Sequence, residues 1–426
     1  MNKHKIKQYQ DYFIWQNKMR KSSEGKIKFS KRIIEPLRYY LYSFFTLFFS
    51  RSHLKNNTCD ILFLHASEKS MALRLRDPLI AQLQKQGLTV LETAQQRPSN
   101  ILKKRLLTRY KYAVTFKHLF NASYVQYIVD FYQPKIIISD RNGSIYSSFL
   151  REAIQAYGKL VHMAHCVATD NFARFSLIDY DYYFLYGRSS LDKIMHRQVR
   201  FGHTKAVLTG PYFSNKDFTL KAGSANKNIL LFGIYPDLEK KRSYQNIYDY
   251  IKKWAQNNQD YTLYIKPHPR SRSTYWQEAS QTISNIKTLN AVEKLTHCLE
   301  PIAISLSIYT NAVIDSALLN RPSLLVCPDN IDNLNDELSL EKFYLPRATN
   351  EQQLADNIKA MLKDYPYYIE QAQKFAHYHL EYQQDSIDYI SHCLYSITQN
   401  KEDFPIIEIN EKMDNMSLSI LAKEYQ

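Results

Sequence analysis

From residue 58 onward, short apolar runs alternate with longer amphipathic stretches, and this pattern constrains the fold more than any other feature of the sequence. An apolar run of about five residues suits a strand buried on both faces, and the amphipathic stretches suit helices that cover a parallel sheet. The predicted strands span residues 60–65, 88–92, 135–139, 159–164, 182–186 and 206–209 in a first half, and 228–232, 261–265, 302–305 and 323–326 in a second half. The clearest predicted helices span residues 122–132, 147–157, 240–256, 311–319 and 352–362.

A polar, turn-rich stretch between residues 211 and 227 separates the two halves, and 426 residues give room for two domains of ordinary size. We therefore predict an α/β protein with two Rossmann-like domains that face each other across a cleft. The predicted division is a basic segment at 1–57, a first domain at 58–212, a linker at 213–227, a second domain at 228–395 and a tail at 396–426. No G-x-G-x-x-G motif occurs, so we predict no dinucleotide or other cofactor.

Two basic stretches account for the formal net charge of +15. Residues 1–55 carry a net charge of +10, and residues 93–129 contain seven Lys and Arg residues and no acid, so the rest of the chain is slightly acidic. Neither stretch contains a zinc-finger spacing, an RNP-like aromatic strand or a helix-turn-helix, so we predict no nucleic-acid partner. No apolar stripe accompanies the second stretch, and we expect it to meet an anionic acceptor or a lipid headgroup near the cleft.

The first basic stretch continues into a predicted aromatic helix at residues 33–49. One face of this helix holds the apolar side chains of Ile33, Leu37, Leu41, Phe44, Phe45 and Phe48, and the opposite face holds Arg38, Tyr42 and Thr46. The charge-free run from Tyr39 to Ser50 is shorter than the roughly 20 residues that span a bilayer. The pattern is typical of a peripheral anchor on anionic lipid, although a helix packed on the protein's own core shows it too.

The cysteines and the N-terminus indicate a reducing compartment. The chain has five cysteines, at Cys59, Cys166, Cys298, Cys327 and Cys393, and no C-x-x-C motif, which argues against a disulfide framework and a cysteine zinc site. No apolar core followed by a small-residue cleavage site follows the basic start, so we expect no signal peptide. We predict a cytoplasmic protein that is peripheral on the inner face of the cytoplasmic membrane.

The segment from Tyr264 to Ser271 is the most distinctive motif of the second half. A predicted strand ends in Lys266, and two prolines then fix the backbone around His268, with Arg270 following. Ligands of parallel α/β sheets bind outside the carboxyl ends of the strands, where these three side chains suit a phosphate. The alternative is a rigid strand-exit turn with solvated charges.

The segment from Ile304 to Val326 reads as strand, hydroxyl-rich loop, helix, turn and strand. Ser305, Ser307 and Thr310 can cap the helix and leave its first N–H groups aimed at an anion. Asp315 lies one turn into that helix, where a carboxylate could accept hydrogen bonds from ribose hydroxyls. The alternative is simple capping beside an exposed acid.

In the first half, a predicted strand ends in Asp140 and the next one leads to His165. Both residues are candidates for a general base, because an unperturbed histidine titrates near pH 6.5 and a carboxylate can accept a hydroxyl proton. A structural histidine at a strand end is the alternative. His162 and His165 are three residues apart, but no acid has metalloenzyme spacing from them, so we predict no metal site.

Together these motifs resemble the GT-B-fold enzymes of bacterial surface-polysaccharide synthesis. Those enzymes include capsule and lipopolysaccharide glycosyltransferases that use CMP-activated acidic sugars, and the related teichoic-acid polyol-phosphate transferases. The resemblance rests on Lys266-Pro-His-Pro269, on Ser305-Leu-Ser307 through Asp315, on Ala317-Leu-Leu-Asn-Arg-Pro322, on Asp140 to His165 and on Val207-Leu-Thr-Gly-Pro211, and spans about residues 58–395. Cys166 follows His165 where many relatives have glycine, and Asp140-Arg-Asn-Gly143 has one acid where sialyltransferase relatives have two.

The resemblance implies a nucleotide-sugar-dependent glycosyltransferase that inverts configuration without a metal. His165 or Asp140 would deprotonate a hydroxyl of a glycan or glycolipid acceptor, and His268 would stabilise the leaving phosphate. A polyol-phosphate transferase with a CDP-activated donor and a non-catalytic GT-B-like scaffold protein are the alternatives.

Overall fold

The structure is a computed structural model, and it describes residues 3–24, 29–51, 56–169, 173–214, 217–308, 310–327, 341–343 and 346–413. The chain forms two compact units. The first unit contains the residues up to Phe213 together with those from Asp385 onward, and the second contains Ser214–Gln384.

The first unit is built on a parallel sheet with the strand order β6-β5-β4-β3-β1-β2. Its strands are β1 (Ile61–His65), β2 (Val90–Ala94), β3 (Ile136–Ser139), β4 (Lys159–Met163), β5 (Tyr182–Leu185) and β6 (Thr204–Leu208). Its helices are α1 (Lys3–Glu24), α2 (Phe29–Phe49), α3 (Glu68–Ala72), α4 (Asp77–Lys85), α5 (Pro98–Lys103), α6 (Leu119–Tyr132), α7 (Ile145–Ile154) and α8 (Arg188–His196). Because β1 pairs with both β2 and β3 in parallel, the carboxyl ends of these strands lie side by side.

The two N-terminal helices differ in how they pack. Tyr12 and Trp15 of α1 are buried against the first unit, and the Tyr12 hydroxyl donates a hydrogen bond to the Gly143 carbonyl at 3.3 Å. Helix α2 instead lies along α6 and exposes several large apolar side chains. The side chain of Ile33, which the sequence places on the apolar face, lies outside the described residues. None of the described helices is both long and apolar enough to cross a bilayer.

The second unit repeats the architecture with a parallel sheet of order β12-β11-β10-β7-β8-β9. Its strands are β7 (Asn228–Phe232), β8 (Thr262–Lys266), β9 (Ile286–Thr288), β10 (Ile304–Ser307), β11 (Ser323–Val326) and β12 (Arg347–Ala348). Its helices are α9 (Pro236–Glu239), α10 (Arg242–Asn257), α11 (Tyr275–Thr282), α12 (Leu295–Leu299), α13 (Ala312–Leu318), α14 (Glu351–Lys363) and α15 (Tyr365–His379). Two parallel sheets covered by helices confirm the predicted α/β class.

The C-terminal part of the chain returns to the first unit. Helix α16 (Ser386–Thr398) packs on α4, where Ser391 Oγ donates to Gln86 Oε1 at 3.0 Å. Strand β13 (Ile407–Ile409) then pairs antiparallel with β6 at the edge of the first sheet. The unit boundary therefore falls at Asp385, because α16 and β13 make their contacts with the first unit, whereas the sequence places a boundary at residue 395. Residues 414–426 of the predicted tail lie outside the described part.

Candidate active site

Asp140 follows β3 directly and is buried in the first unit. Both of its carboxylate oxygens are occupied. Arg76 Nη2 donates to Oδ2 at 2.7 Å, and the Ala66 N–H donates to Oδ1 at 3.1 Å. Burial by itself raises the pKa of Asp140, but the Arg76 charge outweighs it and holds this pKa below its ordinary value. Asp140 is therefore a paired anion with little capacity to take a proton.

Arg76 is a site residue that the sequence analysis did not identify. It is buried just before α4, and its Nη1 lies 2.5 Å from His65 Nδ1. A guanidinium only donates, so Nδ1 must accept, and His65 Nε2–H then donates to Glu92 Oε1 at 2.8 Å. Burial and the Arg76 charge lower the pKa of His65, which agrees with a neutral ring. A network of Glu92, His65, Arg76 and Asp140 thus links the middle of β2 to the carboxyl ends of β1 and β3.

His165 lies just beyond β4 with its side chain exposed. Its Nδ1 is 2.9 Å from the backbone carbonyl oxygen of Asp140. A carbonyl can only accept, so Nδ1 carries the proton and Nε2 of the neutral ring keeps its lone pair. Nε2 makes no hydrogen bond to any other residue in the described ranges. This arrangement suits a general base.

His162 is buried and serves the structure of the same sheet edge. Its Nδ1 lies 3.2 Å from Ser139 Oγ and its Nε2 lies 2.6 Å from Asn142 Oδ1, while its ring stacks on Tyr180. Burial lowers the pKa of His162 to about 3, so the ring is neutral at physiological pH. Of the two histidines, only His165 is exposed.

In the second unit, His268 is half-buried after β8. Its Nδ1 accepts a hydrogen bond from the Arg270 backbone N–H at 3.1 Å, so Nε2 carries the proton in the neutral ring. Burial, followed by the Arg270 charge, lowers the pKa of His268. The Arg270 guanidinium lies over the Tyr235 ring at 4.6 Å, and the His268 ring meets the same tyrosine edge-on. His268 and Arg270, two of the predicted phosphate-binding residues, therefore lie together.

Gly233 explains how the turns after β7 and β8 come so close. Its N–H donates to the Lys266 carbonyl at 2.9 Å, and a Cβ at this position would lie 2.8 Å from the His268 nitrogen. Any side chain there would push the two turns apart. The close backbone approach keeps Tyr235 beside His268.

Two of the predicted donor-binding residues have structural contacts instead. Lys266 Nζ donates to the carbonyls of Ala291 at 3.2 Å and Glu293 at 2.9 Å, so its charge holds the loop after β9. Ser305 is buried, with its Oγ 2.9 Å from Ser316 Oγ and 2.7 Å from Ser323 Oγ. The expectation that Ser305 caps the following helix is wrong, because its hydroxyl is buried between the sheet and α13 and bonds Ser316 and Ser323.

The remaining predicted residues lie around α13. Ser307 is buried at the end of β10, and Thr310 Oγ1 accepts a hydrogen bond from the Ala312 N–H at 3.3 Å. The N-cap position of α13 is held by Asn311, whose side chain makes no capping hydrogen bond. Asp315 is half-buried, and burial raises its pKa to about 7. Its carboxyl group has no hydrogen bond or ion pair with other residues of the described chain. No cluster of three or more His, Cys, Asp or Glu residues that could hold a metal occurs within the described ranges.

No family model and no curated relative matches the sequence. Solved structures match it by fold. The complex of S. aureus MnaA with UDP superposes with a TM-score of 0.54 at 11% identity, over 81% of this chain and 99% of that one. The UDP-GlcNAc 2-epimerase of Neisseria meningitidis bound to UDP-GlcNAc gives 0.52 at 13%, over 81% and 100%. A variant of the wall teichoic acid polymerase TagF gives 0.50 at 12%, over 86% and 98%. These matches show a GT-B-like fold.

Proposed function

We propose that the protein is an inverting, metal-independent glycosyltransferase that moves a sugar from a nucleotide donor to a hydroxyl of a surface-polysaccharide or lipopolysaccharide acceptor. The observation that carries this proposal is a pair of histidines at strand exits that backbone contacts fix in opposite tautomers. His165 keeps a lone pair on Nε2, whereas His268 keeps a proton there. A transfer reaction needs one group of each kind, a base for the acceptor and a donor for the leaving group.

In this mechanism His165 is the base. Its Nε2 takes the proton of the acceptor hydroxyl while the oxygen attacks the anomeric carbon from the side opposite the leaving group. The bond from that carbon to the phosphate oxygen breaks, its electron pair leaves with the nucleotide, and the configuration inverts. Asp140 is not assigned as the base, because its two carboxylate oxygens accept hydrogen bonds from Arg76 and from the Ala66 N–H. Its backbone carbonyl instead orients the His165 ring.

His268 and Arg270 act on the leaving phosphate. His268 Nε2–H and the Arg270 guanidinium donate to the oxygens on which negative charge develops, a role that requires no metal ion. Ser307, Thr310 and Asp315 complete the proposed donor site. A half-buried carboxyl group with a raised pKa can accept from or donate to ribose hydroxyls and repels the phosphates less than an ionised one would. Lys266 and Ser305 support this site through the backbone and the sheet.

A CMP-activated acidic sugar is the donor that we favour, on the motif resemblance described above. The second candidate is transfer of a polyol phosphate from a CDP-activated donor, which the fold match to TagF favours. In that reaction His165 would activate a polyol hydroxyl for attack on phosphorus. Both reactions use His268 and Arg270 for the leaving nucleotide.

Calorimetric titration of the full chain with CMP, CDP, UDP and GDP tests the proposal. Selective binding of CMP supports a cytidine-nucleotide donor, because transfer from a CMP-sugar and transfer from a CDP-polyol both release CMP. Selective binding of UDP or GDP would support a glycosyltransferase but contradict the assignment of a cytidine-nucleotide donor. No binding of any nucleotide would contradict an enzyme and favour a scaffold protein.

We also propose that the protein works peripherally at the inner face of the cytoplasmic membrane, with anionic lipid as a partner and without nucleic acid. The basic N-terminal stretch and the exposed apolar side chains of α2 support this location.

A further inference from the structure

Helix α2 exposes a stripe of large apolar side chains. Leu37, Leu41, Phe44 and Phe48 retain 66%, 52%, 50% and 69% of their accessible surface, and Leu47 retains 61%. Their spacing of three, four or seven residues places them on one face of the helix, over a length of about 17 Å. Isolated exposed leucines are ordinary on a protein surface, but a contiguous apolar stripe of this size marks an interaction site.

The opposite face of α2, which is the more polar one, packs on the first unit. Ser43 and Thr46 are buried, and Ser43 Oγ accepts a hydrogen bond from the Phe120 N–H at 3.3 Å. The Tyr42 ring packs on the Phe120 ring with centroids 5.1 Å apart. The helix therefore packs on the first unit by its polar face, and Leu37, Leu41, Phe44 and Phe48 of the apolar face lie outside, while Phe45 is half-buried.

The second basic stretch lies beside this stripe. Arg51 Nη2 donates to the Lys104 carbonyl at 3.0 Å, and the Arg105 guanidinium lies 5.7 Å from the centre of the Phe49 ring. Near the middle of α2, the Tyr40 ring meets that of Phe116 at 6.3 Å. Residues 37–51 and 97–117 contain no acidic residue. The contacts therefore join the two basic stretches that the sequence analysis treated separately.

We propose that the outward face of α2 and the basic residues of 97–117 form one surface that binds an anionic lipid bilayer. The leucine and phenylalanine side chains enter the boundary between headgroups and acyl chains, and Lys103, Lys104 and Arg105 contact anionic headgroups at the rim. An apolar centre bordered by the exposed cations Lys103, Lys104 and Arg105 fits this partner better than a nucleic acid, which offers no apolar layer, or an average protein surface, which carries both charges. The inference deepens the membrane part of the proposed function and does not depend on its chemistry.

The test for the apolar part is co-sedimentation of the full chain with vesicles of phosphatidylglycerol and phosphatidylcholine. We expect the double variant Phe44→Ser/Phe48→Ser to bind roughly 100-fold more weakly, about tenfold for each large side chain removed from the acyl boundary. Because both side chains are exposed, the variant keeps the wild-type circular dichroism. The matched control Met195→Ser/Tyr395→Ser removes exposed apolar side chains from α8 and α16 and should bind like wild type.

The test for the cationic rim is the triple variant Lys103→Glu/Lys104→Glu/Arg105→Glu in the same assay. It should lose affinity by about fivefold or more per position on anionic vesicles, and this loss should shrink at high salt. Wild-type pelleting by either the α2 or the rim variant would overturn the proposal. The proposal would also be overturned if the wild-type chain formed dimers that the Phe44→Ser/Phe48→Ser variant does not form. Binding of single-stranded DNA in place of vesicles would overturn it too. Nucleotide titration of the same variants should match wild type, so failure of the lipid surface and failure of the proposed chemistry can be told apart.

Discussion

In each unit, a histidine and an aspartate lie at or near the carboxyl ends of the parallel strands, and we refer to these regions as the first edge and the second edge. The two aspartates lie in opposite environments. In the first unit, Asp140 is buried against Arg76 and its pKa lies below the ordinary value. In the second unit, Asp315 lacks a cationic partner among the described residues and burial raises its pKa to about 7. The first edge is a charged network that is already satisfied, whereas the second edge holds polar groups that a ligand can still satisfy. This difference supports the proposal that the first edge fixes a catalytic group and the second edge receives the donor.

The two histidines also differ between the first and the second edge. His165 is held by a carbonyl and offers a lone pair, and His268 is held by an N–H and offers a proton. A general base and a leaving-group donor must differ in this way, since one accepts a proton and the other stabilises negative charge. The predictions below test whether the two edges divide the work in this way.

The largest expected effect is that of His165→Ala on turnover. Loss of a general base lowers the rate about 10²–10⁴-fold, and the nucleotide affinity should not change, because His165 is assigned to the acceptor. Steady-state kinetics over a range of pH measures the turnover rate and the apparent affinity for the nucleotide donor. The matched control is His196→Ala, since His196 is also exposed and has its Nδ1 2.6 Å from a backbone carbonyl, that of Asp192. Full activity of His165→Ala would place the base elsewhere.

The next effect concerns the network of the first edge. Arg76→Met should lower the free energy of unfolding by about 3–5 kcal/mol, because it leaves the Asp140 carboxylate buried without its cation. Urea unfolding followed by circular dichroism measures the change. Arg188→Met removes an exposed pair with Asp192 and should cost less than about 1 kcal/mol. Equal stability of the two variants would show that Asp140 does not need Arg76.

The smallest effect is a pH dependence at the second edge. The folded-state pKa of Asp315 is raised from 3.8 to about 7, so the folded protein binds more protons than the unfolded chain between these values. The stability that this group contributes is complete below about pH 4 and is lost as the pH rises towards 7. The loss is at most about 4 kcal/mol and is reduced by the partial exposure of the side chain. Asp315→Asn should flatten the stability curve over this range, and an unchanged curve would mean that Asp315 is solvated.

Much of the fold follows from the apolar periodicity. The strands at Asn228–Phe232 and Ser323–Val326 have the predicted bounds, because each is an apolar run that ends at turn residues. Strands β9, β12 and β13 were not predicted, since two or three residues carry no periodicity and their pairing depends on neighbours distant in the sequence. The burial of α1 was not predicted either, because its many charged residues obscure the pattern of the few aromatic side chains that enter the core.

The candidate site shows a similar limit. His165, His268 and Asp140 could be selected because each lies just beyond the end of a predicted strand, and parallel strands align their carboxyl ends. Arg76 gave no such signal, since it lies in a short connection between two helices and its partner is 64 residues away. The structural roles of Lys266 and Ser305 also depend on tertiary contacts, with backbone carbonyls and with two other serines, that no local pattern reveals.

Nucleotide titration of His268→Ala tests the central claim most directly. Hydrogen bonds to charged groups are worth about 1.5–3 kcal/mol, so the variant should bind the preferred nucleotide roughly 10–100-fold more weakly than wild type. His165→Ala at the first edge and His377→Ala, which removes another exposed histidine of the second unit, should bind it with unchanged affinity. Wild-type affinity in His268→Ala, or an equal loss in His165→Ala, would contradict the assignment of the donor to the second edge.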